Sequence, residues 1–294
     1  MQQRFKCNQC QKRFIWRNKI NKDLKEKHWF DLWITEGFSV RQLSHMSGHS
    51  QSKIKRIKNY WLNQEPPVLC NDHRKVHYVM FDGTYFHKDG CLVIFTDAKR
   101  RTPIFWAYIE RESYESVYPL IQYLKEQGLD PKAITIDGHR MVIKAILHVW
   151  PKIIIQRCLF HIQNQGLMWI RTYPKTIAGQ ELRILLKGLT KIRSYTEQKI
   201  FQETYNIWKN SHRKSIALLP KDSIANKDLQ RTMKLIDHAE SNMFHFIQDQ
   251  NIEPTTNILE SFYSRLKHHY RSHRGLTKKH KVAFLNWYCY LKSI

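Results

Sequence analysis

Residues 76–86 read VHYVMFDGTYF, an apolar, β-branched and aromatic run with one carboxylate, Asp82, followed at once by Gly83. This composition predicts a buried strand. The stretches after it extend the pattern. HKDG (87–90) carries the Asp-Gly of a hairpin turn. CLVIFTDA (91–98) and TPIFWAYIE (102–110) read as two further strands. SYESVYPLIQYLKEQG (113–128) has the period of an amphipathic helix, and KAITID (132–137) is a short buried strand. HRMVIKAILHVW (139–150) is a second helix and KIIIQRC (152–158) a last strand.

Three strands in meander, then alternating helix and strand, is the element order of a ribonuclease-H-like core, antiparallel strands first and parallel ones after. From about 161 to 250 the strand signals vanish. ELRILLKGLTKI, TEQKIFQETYNIWKNS and KDLQRTMKLIDHAESNMFHFI have helical periodicity, so this region reads as an all-helical insertion. TTNILESFYSRLKHHYRSHRGL (255–276) follows, with Leu259, Phe262, Tyr263 and Leu266 as an apolar stripe. Glu260 borders that stripe, with Asn257, Ser264, Lys267 and Arg271 on its own side. A final helix is expected over KKHKVAFLNWYCYLK.

Ahead of the core, DLKEKHWFDLWITEG has apolar residues at Leu24, Trp29, Phe30, Trp33 and Ile34 and ends at Gly37. SVRQLSHMSG starts at a capping Ser39 and presents Val40, Leu43 and Met46. SQSKIKRIKNYWL starts at Ser50 and buries Ile54, Ile57 and Trp61. Two short helices around an SGHS turn match a helix-turn-helix, whose second helix would offer Gln51, Ser52, Lys53, Lys55 and Arg56 to the major groove. The alternative is a plain three-helix bundle with solvated cations. Residues 63–75 form a linker stiffened by Pro66-Pro67.

The N-terminal MQQRFKCNQCQKRFIWRN holds the chain's CxxC, Cys7 and Cys10, in a basic knuckle. A zinc site needs four ligands, and this is one pair. His28 is a conceivable third ligand, although its apolar neighbours favour a helix position. The other cysteines, at 70, 91, 158 and 289, are scattered as reduced thiols are. The fold class expected is therefore α/β: a ribonuclease-H-like core with an all-helical insertion, preceded by a small helical DNA-binding domain. Its boundaries are 1–18 knuckle, 19–62 helix-turn-helix, 63–75 linker, 76–160 core, 161–250 insertion, and 251–294 core helices carrying Glu260.

Lys+Arg 49 against Asp+Glu 25 gives +24, which favours a polyanionic partner, nucleic acid before a membrane surface. No apolar run predicts a membrane span, and the start lacks the apolar core of a signal peptide. A cytosolic or nuclear protein is the expectation. Two aspartates then stand out. Asp82 follows HYVMF and Asp137 follows AITI, each expected where a strand ends, and each precedes a glycine that leaves room around the carboxylate. Asp-Gly is also a common turn. In a ribonuclease-H-like sheet the two strands are neighbours, so the two acids would repel unless a cation lay between them. Mg²⁺ suits a few carboxylates plus phosphate oxygens, and two such ions about 3.5–4 Å apart assist phosphoryl transfer. Glu260 is the candidate third acid. Asp97, Glu110 and Glu112 compete, but Asp97 precedes a polar turn and the two glutamates crowd a surface bend.

FDGTY, IDGH, RCLFH and TTNILESFYSRLK resemble the catalytic blocks of DDE transposases. They resemble more narrowly the prokaryotic Mutator-type insertion-sequence transposases, in the variant with a zinc ribbon and helix-turn-helix ahead of the core. The likeness spans nearly the whole chain, and the combination of blocks is more specific than any one of them. It implies Asp82, Asp137 and Glu260 as catalytic ligands of Mg²⁺ or Mn²⁺, two ions in all. It implies Cys158 and His161 as a C-x2-H signature that shapes the site, with Asn257 beside it. It implies double-stranded DNA as partner, both the terminal inverted repeats and the target, and a nucleoid location in the prokaryotic cytoplasm, and paired-end chemistry suggests at least a dimer on DNA. Lys267 and Arg271 would face the DNA backbone, whereas His268, His269 and His273 are expected as surface residues. The family's ribbon has a first CxxC upstream of the pair here, so the expectation is a partial ribbon with zinc ligands Cys7 and Cys10 alone. Two other functions compete: a catalytically inactive DNA-binding derivative, and a nuclease acting on RNA–DNA hybrids.

Overall fold

The computed structural model describes residues 5–14, 19–69, 72–86, 89–273 and 275–293. The chain forms two compact units, Met1–Val68 with Ser264–Ile294, and Leu69–Tyr263. The first unit opens with a two-stranded ribbon, β1 (Phe5–Lys6) and β2 (Arg13–Phe14), in antiparallel register. Cys7 and Cys10 lie in its turn, where Cys7 N donates to Lys12 O and Gln11 N donates to Cys7 O. Hydrogen bonds from the Cys10 and Gln9 backbone lower the Cys7 thiol pKa. Among the described residues no third His, Cys or acid joins this pair, and His28 lies within α1 (Lys19–Glu36).

Next come α2 (Val40–Ser47) and α3 (Gln51–Leu62). Ser39 caps α2 in a reciprocal box with Gln42, and Ser50 caps α3 by accepting from Lys53 N. Between them Gly48 has φ +67, a left-handed turn that glycine adopts without strain. Leu43, Ile54 and Ile57 are buried as the pattern predicts, but Trp61 is half-buried with Leu62 buried beside it, and Leu24 and Met46 are largely exposed.

The second unit is mixed α/β. Its sheet holds β3 (Tyr78–Tyr85), β4 (Cys91–Asp97), β5 (Thr102–Ile109), β6 (Ala133–Ile136) and β7 (Ile154–Arg157). The order is β5-β4-β3-β6-β7, antiparallel among the first three and parallel from β3 through β6 to β7. The expected adjacency of the two acid-bearing strands is therefore present. Residues 87 and 88 of the expected HKDG turn lie outside the described residues. α4 (Tyr114–Glu126) and α5 (Arg140–Val149) cover one face, where Val117, Ile121, Val142 and Ile146 meet Val79, Phe81, Val93 and Phe95. Every residue of β4 is buried, as in a strand covered on both sides.

After β7 the unit is helical: α6 (Leu159–Ile170), α7 (Ile177–Gly188), α8 (Tyr195–Ala217), α9 (Ile224–Ala239) and the short α10 (His245–Gln248). Leu182, Leu186, Tyr205, Trp208, Leu229 and Ile236 make a core of their own there.

α11 (Asn257–Ser272) and α12 (Lys278–Leu291) complete the chain. The sequence reading keeps 251–294 together, but the division falls between Tyr263 and Ser264 within α11. Residues 264–294 pack with the N-terminal helices through aromatics. Trp287 meets Phe30 and Trp61 edge-on, and its Nε1 donates to Trp61 O and Gln64 O at 3.0 Å each. His273 is buried, contrary to the surface expectation. Its Nε2 donates to Trp33 O at 2.8 Å and its ring lies 4.1 Å from that of Trp33. Burial pushes the His273 imidazole down to about 4, so it sits there neutral. No described helix is long and apolar enough to cross a membrane.

Candidate active site

Alternation along β3 puts Val79 and Phe81 on the α4/α5 face and Asp82 on the opposite one. Asp82 is not at a strand end, as the sequence reading has it. It lies within β3, opposite Ile94 of β4. The parallel pairing with β6 stops at Met80, so β3 outruns β6 and carries Asp82 beyond it. Asp137 follows the last residue of β6 directly, and its Oδ1 accepts from His139 N at the entry to α5. Two acids of different strands thus lie past the same end of the parallel pairing.

Glu260 reaches them because the first part of α11, up to Tyr263, closes onto the sheet. Leu259, Phe262, Tyr263 and Leu266 are all buried, as their stripe predicts. The Tyr263 hydroxyl donates to Asp82 O at 2.6 Å, which ties α11 to the strand at the acid itself. The loop ahead of α11 is tied as well. Thr135 Oγ1 donates to Glu253 O at 2.6 Å, and Leu159 N donates to Pro254 O. Thr256 offers both its N and its Oγ1 to the Cys158 sulfur, at 3.3 and 3.4 Å. Cys158, fully buried, caps α6, and His161 stands one turn along. The C-x2-H pair therefore pins the segment that delivers Glu260.

Asp82, His161 and Glu260 each offer a ligand atom within 4.8 Å of the others. His161 Nε2 lies 3.1 Å from Glu260 Oε1. Burial pushes the Asp82 carboxyl well up, the charges of Glu260 and Asp137 add to the rise, and His161 opposes it. Burial works against charge on His161. Hydrogen bonds with Cys158 and Glu260, and the charges of Cys158 and Asp82, outweigh it and push the imidazole up to about 11. His161 is thus the cation facing the acids. Asp137 stands outside the group of three, yet its charge acts on Asp82 and on Glu112.

Glu112 is the residue that sequence reasoning misplaces. It sits in the bend before α4, but it is half-buried there and its carboxyl is pushed up to about 7, by burial first and by the charge of Asp137 next. A Cβ on Gly83 would stand 2.3 Å from Glu112 Oε1. The signal is therefore Gly83 itself, since a glycine inside a strand marks a close approach. Gly138 has the same role with opposite charge: a Cβ there would stand 2.0 Å from Arg157 Nη2. Asp97, buried, accepts from Lys99 N and Arg100 N and closes the β4–β5 turn.

The remaining site residues lie elsewhere. Asn257 is exposed at the start of α11 and lines a cavity with Gln163 and Arg193. In the other unit, Gln51, Ser52, Lys55 and Arg56 are exposed on α3. Lys53 is half-buried, with its Nζ 3.3 Å from His49 Nε2 and 3.6 Å from Glu26 Oε1. Arg271 and His268 are exposed on α11, while Lys267 and His269 are half-buried.

The fold and site define a mixed α/β unit with acids from adjacent strands and a later helix gathered at one place. Residues 78–165 match the family model of the MULE transposase domain. That stretch takes in Asp82, Glu112, Asp137, Cys158 and His161 and ends ahead of Glu260. The match supports the Mutator-type transposase resemblance carried by FDGTY, IDGH and RCLFH. No curated protein matches the chain. Among solved structures, the Drosophila P element transposase strand transfer complex is similar at a TM-score of 0.38 and 12% identity, over 97% of this chain and 93% of that one.

Proposed function

We propose that the chain is a DDE-type DNA transposase whose ribonuclease-H-like core uses Asp82, Asp137 and Glu260 for metal-dependent phosphoryl transfer. The observation that carries this reading is the convergence of Asp82 and Glu260, far apart in sequence, within ligand distance of each other and of His161. The match over 78–165 supports it.

The residues fit a divalent cation on their chemistry. Asp82 is driven up by burial and by the charges of two further acids, a strain that a bound cation relieves. Carboxylate oxygens suit Mg²⁺ or Mn²⁺. A pair of such ions would activate the attacking oxygen and stabilise the leaving one. The chain's own residues prepare that chemistry. Asp82 and Asp137 are fixed by the register of β3 on β6. Glu260 is fixed by the Tyr263 hydrogen bond and by the Cys158–Thr256 anchor. His161 holds the Glu260 carboxylate by its ion pair.

The three-helix N-terminal segment, with its αL turn at Gly48, serves in this reading as a helix-turn-helix. α3 would read the element's terminal repeats with Gln51, Ser52, Lys55 and Arg56, and Lys53 would add a partly engaged charge. Lys267 and Arg271 would meet backbone phosphates. Processing two ends calls for two sites, hence at least a dimer. Phosphate contacts make the affinity for DNA fall steeply with salt. The test is strand cleavage and transfer on duplexes taken from the DNA on either side of the coding sequence. Wild type cleaves only with Mg²⁺ or Mn²⁺, and Asp137→Ala binds the duplex without cutting it. Normal strand transfer by Asp137→Ala rejects the assignment.

A further inference from the structure

Behind the acids, in the same unit, lies a cavity of about 870 Å³ that the catalytic reading does not use. Gly138, the residue after Asp137, forms part of its wall, and so does Arg157, whose guanidinium packs against that glycine. Arg140, Arg231 and Lys234 line it as well, and no acidic side chain is among its described lining residues. Arg231 is committed elsewhere, since its Nη2 lies 2.6 Å from Asp228 Oδ1. Arg140, Arg157 and Lys234 make no ion pair among the described residues. The Arg157 Nε is buried without a hydrogen bond, a donor with nothing to serve.

Much of the remaining lining is apolar, with Ile143, Ile155 and the ring of Trp169 among its residues. Cations alone would suit any anion. Cations beside an apolar lining that includes an indole ring suit a ligand with a phosphate and a flat apolar face together, and an unpaired nucleotide has both. A duplex backbone would engage the rim and leave the apolar lining untouched.

We propose that this cavity is a binding site for single-stranded DNA, taking the phosphates of an unpaired strand that runs on from Asp137. Arg157 serves a phosphate at the wall shared with Gly138. Arg140 and Lys234, both exposed, hold the strand at the mouth. The inference rests on the transposase reading for the identity of the strand, but the binding itself can be measured without catalysis.

The experiment uses the full chain in EDTA with a labelled single-stranded oligonucleotide of about ten nucleotides, read by fluorescence anisotropy. Arg140→Gln and Lys234→Gln each weaken binding roughly threefold to tenfold, and together they reduce the slope of log K against log salt by about 1.4, or about 0.7 for each phosphate no longer neutralised. Arg157→Gln weakens it further. Because the guanidinium fills space at Gly138, the two exposed variants carry the test if that one misfolds. Lys221→Gln, an exposed charge outside the cavity, leaves affinity unchanged. Unchanged affinity and salt slope in the Arg140→Gln/Lys234→Gln double variant overturn the proposal. Inorganic pyrophosphate that stabilises wild type and not the double variant, with oligonucleotide binding unaltered, also overturns it in favour of a free-phosphate site. A chain that never cleaves DNA yet loses oligonucleotide affinity in the double variant keeps the cavity assignment and loses the catalytic one. A chain that cleaves with affinity unaltered does the reverse.

Discussion

Asp82-Gly83 and Asp137-Gly138 look alike in the sequence, each an acid after an apolar run with a glycine behind it. The structure uses them differently. At Gly83 the missing side chain admits the carboxyl of Glu112, and at Gly138 it admits the guanidinium of Arg157. One glycine thus crowds a further acid into reach of the Asp137 charge, and the other places a cation within reach of the same charge. The difference teaches that a glycine after a buried acid reports a close approach, and that the approaching charge is set by packing from distant sequence.

Substitutions at the two glycines break the comparison most sharply. Gly138→Ala should have the largest effect, because the guanidinium it meets is partly buried and must leave its seat. We expect about 2–3 kcal/mol of lost stability in chemical denaturation, together with weakened single-strand binding. Gly83→Ala should cost about 1–2 kcal/mol, since the Glu112 carboxyl has the bend to move into. It should leave single-strand binding unchanged. Equal effects of the two on oligonucleotide affinity would erase the distinction.

Tyr263→Phe comes next. It removes the hydroxyl that donates to Asp82 O and leaves a buried carbonyl with less support. A loss of about 1–2 kcal/mol is expected by denaturant titration, with strand cleavage reduced more than duplex binding, because Glu260 is carried by the same helix.

The smallest effect sharpens the same lesson in the other unit. His161 is held charged by acids, whereas His273 is held neutral among aromatics. A histidine whose folded pKa is lowered binds fewer protons folded than unfolded, so stability falls as pH drops from its ordinary value of 6.5 towards about 4. Between about pH 7 and about pH 6 the His273 contribution is about 0.7 kcal/mol. Comparing thermal melts of wild type and His273→Gln across that window isolates it, since the variant lacks this proton uptake.

Much of this is legible in the sequence because it is local. Period-two runs and turn residues mark the sheet, and the element order makes β3 and β6 neighbours. The stripe at Leu259, Phe262, Tyr263 and Leu266 marks the buried face of α11. What is not legible depends on chain segments far apart. Glu112 reads as a surface residue because its bend is polar, and its burial comes from the space at Gly83. His273 reads as one more cation in a basic run, and its burial comes from Trp33 and Phe284. Met46 reads as core, but a helix of two turns turns it outward. The division of α11 between two compact units has no sequence marker, since the helix is continuous across it.

The central claim is that Asp82, Asp137 and Glu260 form one cation site. Mn²⁺ titration of the full chain, followed by electron paramagnetic resonance without DNA, tests it most directly. Wild type should bind Mn²⁺, and Asp82→Asn, Asp137→Asn and Glu260→Gln should each weaken binding by about a hundredfold or more, with the fold intact by circular dichroism. Mn²⁺ binding equal to wild type in all three variants would contradict the account.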